Sequence, residues 1–176
     1  GVFINKKFFL ENKFSENFDL SGSEDWDLWL RIANKENIIG NNIVMANNTA
    51  IAGHAEIEDF VIIGAKCGVQ QFTRIGKRAM IGGMTGVLRD VIPYGLSTGN
   101  RNYLNGINVV GLRRDKVSNK DILGLTDAYK EIFKTEVLSE NLKNLNGKYT
   151  DNPLVKDVLD FINKDKKRPI CTPFLK

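Results

Sequence analysis

The chain has 176 residues, of which 42% are hydrophobic and 26% charged, and its formal net charge is +4 at neutral pH. These values are typical of a soluble protein with one domain, or with one domain and an appendage. No apolar run approaches the roughly 20 residues that a membrane span needs, and no signal peptide opens the sequence. We therefore expect a cytoplasmic protein without a membrane span.

Two further kinds of site are not expected. The sequence has one histidine and two cysteines without the spacing of a zinc site, so we predict free thiols, no metal and no cofactor. Basic residues gather in its second half, where they could attract phosphates or an acidic carrier protein, or form a solvated surface. No aromatic residues interleave with these basic residues, and no motif that recognises nucleic-acid bases is present. Nucleic acid is therefore not an expected partner.

The first segment of the chain, residues 1 to about 35, contains both tryptophans. Ser23 followed by Glu24 and Asp25 has the pattern of a helix N-terminus, with a hydroxyl cap and acids in the first turn. A largely apolar helix is therefore predicted from Trp26 to Ile32.

In the second segment, from residue 37 to about 92, an aliphatic residue recurs at every sixth position. The nine positions are Ile39, Met45, Ile51, Ile57, Ile63, Val69, Ile75, Ile81 and Val87. This period is typical of a parallel β-helix, in which three six-residue units make one triangular coil. Residues eighteen apart should then stack, as Ile39 on Ile57 on Ile75. The small residues that follow the aliphatic ones are expected at corners, where glycine takes a positive φ at low cost.

The third segment is predicted to be helical. Pro93 is expected to end the β-helix. Ser118 is a cap for an amphipathic helix that reaches about Lys134, and further helices are predicted from about Val137 to Leu145 and from Pro153 onward.

The predicted organisation is an N-terminal segment (1–35), a β-helix of about three coils (36–95), and a connection with a C-terminal helical bundle (96–176). The fold class is mainly β, with a short helical segment before the β-helix and a bundle after it that is expected to cover part of the prism.

Several motifs in the second and third segments resemble one enzyme family. They are Asn47-Asn48-Thr49-Ala50-Ile51-Ala52-Gly53-His54, Gln71-Phe72, Ile81-Gly82-Gly83-Met84-Thr85-Gly86-Val87, Asp90-Val91-Ile92-Pro93-Tyr94, Gly99-Asn100-Arg101 and Gly106-Ile107-Asn108-Val109-Val110-Gly111-Leu112-Arg113-Arg114. The chain from about residue 36 to 170 is similar to the C-terminal half of the UDP-N-acetylglucosamine O-acyltransferases of lipid A biosynthesis.

The resemblance implies a left-handed β-helix that assembles as a homotrimer, with active sites in clefts between neighbouring prisms. It implies transfer of a 3-hydroxyacyl chain from acyl carrier protein to the 3-hydroxyl of UDP-N-acetylglucosamine (UDP-GlcNAc), without a metal. In the family a histidine acts as general base on that hydroxyl, a role that suits a pKa near neutrality.

Residue by residue, the resemblance implies that His54 and Gln71 contact the sugar and that Asn108 and Arg114 contact the nucleotide. A guanidinium at Arg114 suits phosphates. Gly83 matches the position that helps to set acyl-chain length, because a missing side chain leaves room for the acyl tail. The structural alternatives are a polar corner residue for His54, a turn glycine for Gly83 and a surface charge for Arg114.

The sequence departs from the family at the catalytic base. Counted back without gaps, the family's His-Asp pair falls on Lys35-Glu36, and His54 is the only histidine. The coils that precede this point in the family are also absent from the sequence. A lysine can act as a base only if burial or charge lowers its pKa strongly, and Glu36 opposes that. We therefore expect a truncated and catalytically impaired acyltransferase.

The first segment resembles a different family. Ser23-Glu24-Asp25-Trp26-Asp27-Leu28-Trp29-Leu30-Arg31-Ile32-Ala33 is similar to the Glu-Asp segment of inverting family 2 glycosyltransferases, in which the residue that matches Asp25 is the catalytic base. A helical cap is the alternative role for Asp25. The nucleotide-binding half of such an enzyme is missing, so glycosyl transfer is not expected, and a fusion of two gene fragments near residue 35 is our hypothesis.

Two other functions stay open from the sequence. The chain could be a non-catalytic trimeric remnant that binds nucleotide sugar or acyl carrier protein, which binding without turnover would indicate. It could also be an acetyltransferase that uses acetyl-CoA, which a preference for that thioester would indicate.

Overall fold

A computed structural model describes residues 2–4, 38–145, 147–149, 151–164 and 167–174. Its strands are β1 (Val2–Ile4), β2 (Ile38–Ile39), β3 (Ile43–Met45), β4 (Ala50–Ile51), β5 (Glu56–Ile57), β6 (Ile62–Ile63), β7 (Gly68–Val69), β8 (Arg74–Ile75), β9 (Met80–Ile81), β10 (Gly86–Val87), β11 (Gly95–Thr98) and β12 (Tyr103–Ile107). Its helices are α1 (Val109–Arg114), α2 (Asn119–Ile132), α3 (Leu138–Asn144) and α4 (Pro153–Asn163). The helix predicted after Ser23 lies outside the described residues.

Three stacks of short parallel strands form the faces of a triangular prism. The first face is β2-β5-β8, the second is β3-β6-β9 followed by β11, and the third is β4-β7-β10. Ile39 pairs in register with Ile57 and Ile57 with Ile75, so the predicted stacking of residues eighteen apart is confirmed. On the second face β1 pairs antiparallel with β3, the first described strand of that face, and Val2 lies opposite Met45.

The interior of the prism is filled by two residues from each six-residue unit. One is the recurring aliphatic residue, and the other follows it four positions later. The second set is Ile43, Thr49, Ala55, Val61, Cys67, Thr73, Ala79, Thr85 and Val91, and each of them is at most 2% exposed. Because each coil contributes to one continuous core, no coil is stable by itself. Cys67 and Cys171 are both buried free thiols, as predicted.

The corners of the prism differ from the expectation for glycine. The left-handed backbone conformation occurs three residues after each of the first eight aliphatic residues, and none of the residues that adopt it is glycine. These are Asn42, Asn48, His54, Phe60, Lys66, Phe72, Arg78 and Met84, with φ between 53° and 62°.

The glycines one residue after the aliphatic positions serve close approach between coils instead. A Cβ on Gly64 would lie 2.5 Å from the backbone nitrogen of Gly83, and one on Gly76 would lie 2.4 Å from that of Pro93. The expectation of a positive φ at these glycines is therefore wrong, because adjacent coils, and not the local turn, determine their lack of a side chain.

The β-helix does not end at Pro93 as predicted. Val91 forms a parallel bridge with Ile75, and Ser97 in β11 pairs in parallel with Ile81. Both pairs are sixteen residues apart, so this coil is two residues shorter than the earlier ones. Val87 still pairs with Val69, eighteen residues earlier, so the two residues are lost between Val87 and Val91, before the proline. The turn that contains Pro93 has the usual length, and β11 then forms an antiparallel hairpin with β12.

The three predicted C-terminal helices are confirmed. The Ser118 hydroxyl accepts a hydrogen bond from the backbone N–H of Asp121 at the start of α2, and Pro153 occupies the first turn of α4. The short helix α1 was not predicted. Helix α4 covers part of the first face, where its Phe161 carbonyl accepts a hydrogen bond from Arg74 at 3.2 Å.

Candidate functional site

The prism has three corners, and each sequence-predicted site residue that the structure describes lies at or beside one of them. The first corner, after the first face, contains residues 41–42, 59–60 and 77–78; the second contains 47–48, 65–66 and 83–84; the third contains 53–54 and 71–72.

His54 and Gln71 lie together at the third corner, in successive coils. His54 is exposed, and its imidazole stacks on the ring of Phe72, with 4.8 Å between ring centroids and 13° between ring planes. Gln71 is exposed too, and its backbone carbonyl accepts a hydrogen bond from Arg168 Nε at 3.1 Å. The two side chains that the sequence assigns to the sugar are therefore neighbours on one surface.

Gly83 lies at the second corner, on the outside of the prism. It is exposed, and a Cβ built on it would have Ala65 O, at 3.4 Å, as its nearest neighbour. This is ordinary contact, so a side chain at this position would extend outward from the prism. Met84 beside it is 75% exposed.

Asn108 lies beside the first corner, and two hydrogen bonds fix its side chain. Its side-chain oxygen accepts a hydrogen bond from Gly111 N at 3.0 Å as the cap of α1, and its side-chain nitrogen donates one to Arg78 O at 3.1 Å. An amide has two lone pairs and two N–H groups, so one of each is left for a ligand.

Arg114 ends α1 near the same corner, and its side chain is exposed. The next residue, Asp115, forms an ion pair with Arg78, and the Arg78 guanidinium lies 4.5 Å from the ring centroid of Phe60. These contacts hold the C-terminal end of α1 against the first corner, with Arg114 outside them.

The five predicted residues thus lie at three different corners of one prism. The structure brings His54 close to Gln71 and Asn108 close to Arg114, but it does not bring the two pairs together within one chain. Lys35, the position expected for the base, lies outside the described residues.

The structure contains a buried ion pair that sequence reasoning missed. Asp90 is fully buried and accepts hydrogen bonds from Arg74 Nε at 2.7 Å and from Arg74 N at 2.9 Å. Burial raises the pKa of Asp90, while the hydrogen bonds and charge of Arg74 oppose that rise. The guanidinium also lies 4.3 Å from the ring centroid of Phe161, so this pair fastens α4 to the first face.

A cleft of about 270 Å³ lies between the first face and α4. It is lined by Glu58, Lys77, Pro93, Asp157, Asp160, Phe161 and Lys164. Lys77 and Asp157 form an ion pair across it at 2.8 Å, and the hydroxyl of Tyr94 donates a hydrogen bond to Asp157. Burial and the Asp157 carboxylate raise the pKa of Tyr94. No predicted site residue lines this cleft. Of its charged side chains, Lys77 pairs with Asp157 and Lys164 with Glu56.

Within the part of the chain that the structure describes, no cluster of three or more histidine, cysteine, aspartate or glutamate side chains could hold a metal ion. None of the described helices is long and apolar enough to cross a membrane.

Comparison with known proteins shows a similarity to one enzyme family. Residues 90–171 match the family model described as UDP-N-acetylglucosamine O-acyltransferase, domain 2. The chain is 41% identical over 136 residues to the acyl-[acyl-carrier-protein]–UDP-N-acetylglucosamine O-acyltransferase of Sinorhizobium fredii, covering 77% of this chain and 50% of that protein. In sequence and fold these residues are similar to the C-terminal half of a UDP-N-acetylglucosamine O-acyltransferase.

Other relatives of the acyltransferase family agree. The protein of the same name from Agrobacterium fabrum is 42% identical over 137 residues, which cover 77% of this chain and 51% of that protein. The solved UDP-N-acetylglucosamine acyltransferase from Campylobacter jejuni is 35% identical with a TM-score of 0.72, covering 78% of this chain and 53% of that one. The fold is thus the left-handed parallel β-helix of this family. The chain spans about half the length of the curated relatives that it matches.

Proposed function

We propose that this chain binds UDP-GlcNAc in clefts between the subunits of a homotrimer. The observation that carries the proposal is the position of the predicted site residues in a chain with this family's sequence and fold. His54 and Gln71 lie at the third corner, while Asn108 and Arg114 lie beside the first. Two corners of one prism face different directions, whereas the third corner of one copy and the first corner of another can face each other.

Each side chain has a role that its chemistry supports. The Arg114 guanidinium pairs with the pyrophosphate, and Asn108 offers one N–H and one lone pair to the nucleotide. His54 and Gln71 bind the hydroxyl and amide groups of the sugar. The exposed cations Arg101, Arg113 and Lys116 provide an electrostatic surface for the acidic acyl carrier protein.

The reaction that we propose is transfer of a 3-hydroxyacyl chain from acyl carrier protein to the 3-hydroxyl of UDP-GlcNAc, in the cytoplasm. The sugar oxygen forms an ester bond with the acyl carbon as the thioester bond breaks and the thiolate of the carrier protein leaves. A general base takes the sugar proton and passes it to that thiolate, which is released as a thiol. Lys35 stands where the family has histidine, and a lysine is protonated at neutral pH unless its pKa is lowered strongly. Transfer by this chain is therefore expected to be slow.

The experiment has two arms on the full chain. Isothermal titration with UDP-GlcNAc measures binding, and a transfer assay with 3-hydroxyacyl carrier protein compares the unmodified chain with Lys35→His. Binding in both, with faster transfer by Lys35→His, is the expected result. Absence of UDP-GlcNAc binding by a folded, trimeric chain would contradict the proposal.

A second candidate function is non-catalytic binding of the same nucleotide sugar or of the carrier protein. The lysine at the position of the family's base favours it. UDP-GlcNAc binding with no transfer by either the unmodified chain or Lys35→His would support this reading. Preferential use of acetyl-CoA as the donor would instead indicate an acetyltransferase.

A further inference from the structure

The imidazole of His54 is held by an aromatic contact between coils. Phe72 lies eighteen residues after His54, and both residues have left-handed backbones, with φ of 59° and 62°. Their rings lie nearly parallel, with centroids 4.8 Å apart. The imidazole therefore rests against an apolar surface supplied by the next coil.

The C-terminal segment, residues 167–171, contacts the same turn. Lys167 Nζ lies 4.7 Å from the ring centroid of Phe72, and Arg168 Nε donates a hydrogen bond to Gln71 O at 3.1 Å. A cation over an aromatic ring is attracted by its negative face, which restrains the ring as well as the lysine. Two consecutive residues of the segment thus contact two consecutive residues of the turn.

This segment is itself anchored to the β-helix. Asp90 N donates a hydrogen bond to Pro169 O at 2.9 Å, and Cys171 N donates one to Asp90 O at 2.7 Å. Cys171 is fully buried. Lys167 and Arg168 therefore extend from a fixed strand-like attachment toward the third corner.

We propose that Phe72 is a positioning residue for His54, and that Lys167 and Arg168 hold the turn that carries it. Phe72 limits the rotation of the imidazole, so His54 meets the sugar in one orientation and loses less conformational freedom on binding. The role for the sugar rests on the proposed function, whereas the restraint on His54 does not.

The first corner supplies a matched control for the same kind of contact. Phe60 occupies the equivalent position in its six-residue unit, with φ of 60°, and its ring has a cation above it, Arg78 at 4.5 Å. Phe60→Leu therefore removes a left-handed corner aromatic and its cation contact at a corner other than that of His54.

The first test is NMR on the full chain, which has one histidine and so an unambiguous set of imidazole C–H resonances. A stacked phenyl ring shifts these protons upfield. We expect Phe72→Leu to abolish the upfield shift, Phe72→Tyr to keep it and Phe60→Leu to leave it unchanged. The double variant Lys167→Ala/Arg168→Ala should reduce it. Unchanged His54 resonances in Phe72→Leu, with the fold intact by circular dichroism, would overturn the proposal.

The second test is UDP-GlcNAc affinity of the same variants. Phe72→Leu should weaken binding by up to about tenfold, the size of a lost aromatic stack, and Phe72→Tyr should restore it. If Phe72→Leu loses the upfield shift but binds UDP-GlcNAc as tightly as the unmodified chain, Phe72 does not position His54 for the sugar. If the unmodified chain binds no UDP-GlcNAc, the proposed function fails, while the NMR comparison still decides whether Phe72 holds His54.

Discussion

At the scale of single residues, contact between coils explains the glycines of the β-helix better than local backbone geometry does. Gly64 and Gly68 are four residues apart in one coil, yet their surroundings differ. A Cβ on Gly64 would lie 2.5 Å from a backbone nitrogen of the next coil, whereas a Cβ on Gly68 would have no atom within 4 Å. The sequence has a glycine at both positions, but only the structure shows which of the two has to be glycine.

These two glycines give a matched prediction. Gly64→Ala should destabilise the chain by at least about 1–3 kcal/mol, because two rigid backbones would have to separate. Gly68→Ala should leave stability unchanged or raise it by about 0.4–1 kcal/mol, since alanine reduces the conformational freedom of the unfolded chain. Urea unfolding of both variants measures the difference. Equal stabilities would mean that coil contact does not determine the choice of glycine at position 64.

Gly83 allows a prediction about the acyl chain. Because Ala65 O lies 3.4 Å from the added Cβ, Gly83→Met should fold with nearly unchanged stability. Its side chain would fill space outside the second corner, which an acyl tail would occupy if Gly83 sets the chain length. Preference between donors that differ by two carbons should shift toward the shorter one by about tenfold, which a competition assay in the Lys35→His background measures. An unchanged preference would exclude Gly83 from setting the chain length.

Site residues are only partly predictable at this scale. The motifs name His54, Gln71, Asn108 and Arg114, but they say nothing of the contacts that hold them. Phe72 has a readable signal, because eighteen residues separate it from His54 and the period stacks such positions. No sequence signal predicts the contacts of Lys167 and Arg168, because almost a hundred positions separate them from residues 71–72.

At the scale of elements, sequence periodicity predicts the structure best in the β-helix, where the same contact between coils repeats. The register of the three faces follows from the period of six, and the C-terminal helices follow from Ser118 and Pro153. The hairpin β11-β12 and helix α1 have no periodic pattern. The coil that contains Pro93 is two residues shorter than the others. The period of six is broken there, so the sequence does not show that the prism continues through Ser97.

The buried pair of Arg74 and Asp90 joins two elements and gives a prediction about pH. Arg74→Met would leave the Asp90 carboxylate buried without its counterion, at a cost of about 3–5 kcal/mol at pH 7. Since burial already raises the pKa of Asp90 and Arg74 opposes it, the pKa should rise further in the variant. The folded variant would then hold a proton that the unfolded chain releases near pH 4, so its stability should fall as the pH rises above about 4.

Urea unfolding at pH 4.5 and pH 7 measures this effect. The cost of Arg74→Met should be smaller at pH 4.5, where protonated Asp90 is tolerated. Arg101→Met is the control, because Arg101 is exposed, and its cost should be small at both pH values. A cost for Arg74→Met that does not change with pH would contradict this account, because it would mean that removal of Arg74 leaves the pKa of Asp90 in the folded chain unchanged.

At the scale of the whole molecule, we propose that the nucleotide-sugar site forms between copies of this chain. His54 and Gln71 belong to one corner of the prism and Asn108 and Arg114 to another, so the residues proposed for the site lie apart within one chain. Threefold association would bring the third corner of each copy to the first corner of its neighbour and make three equivalent sites.

The most direct test is subunit mixing, read out by UDP-GlcNAc binding. His54→Ala and Arg114→Ala chains are each expected to bind weakly, and they are then co-expressed in equal amounts. A site between copies is intact when an Arg114→Ala chain supplies His54 and a His54→Ala chain supplies Arg114, which random assembly gives at one half times one half, or about one quarter of the sites. We predict that the mixture regains about this fraction of the tight binding. A mixture that binds no better than either variant alone, although mixed trimers are shown to form, would contradict a site shared between copies.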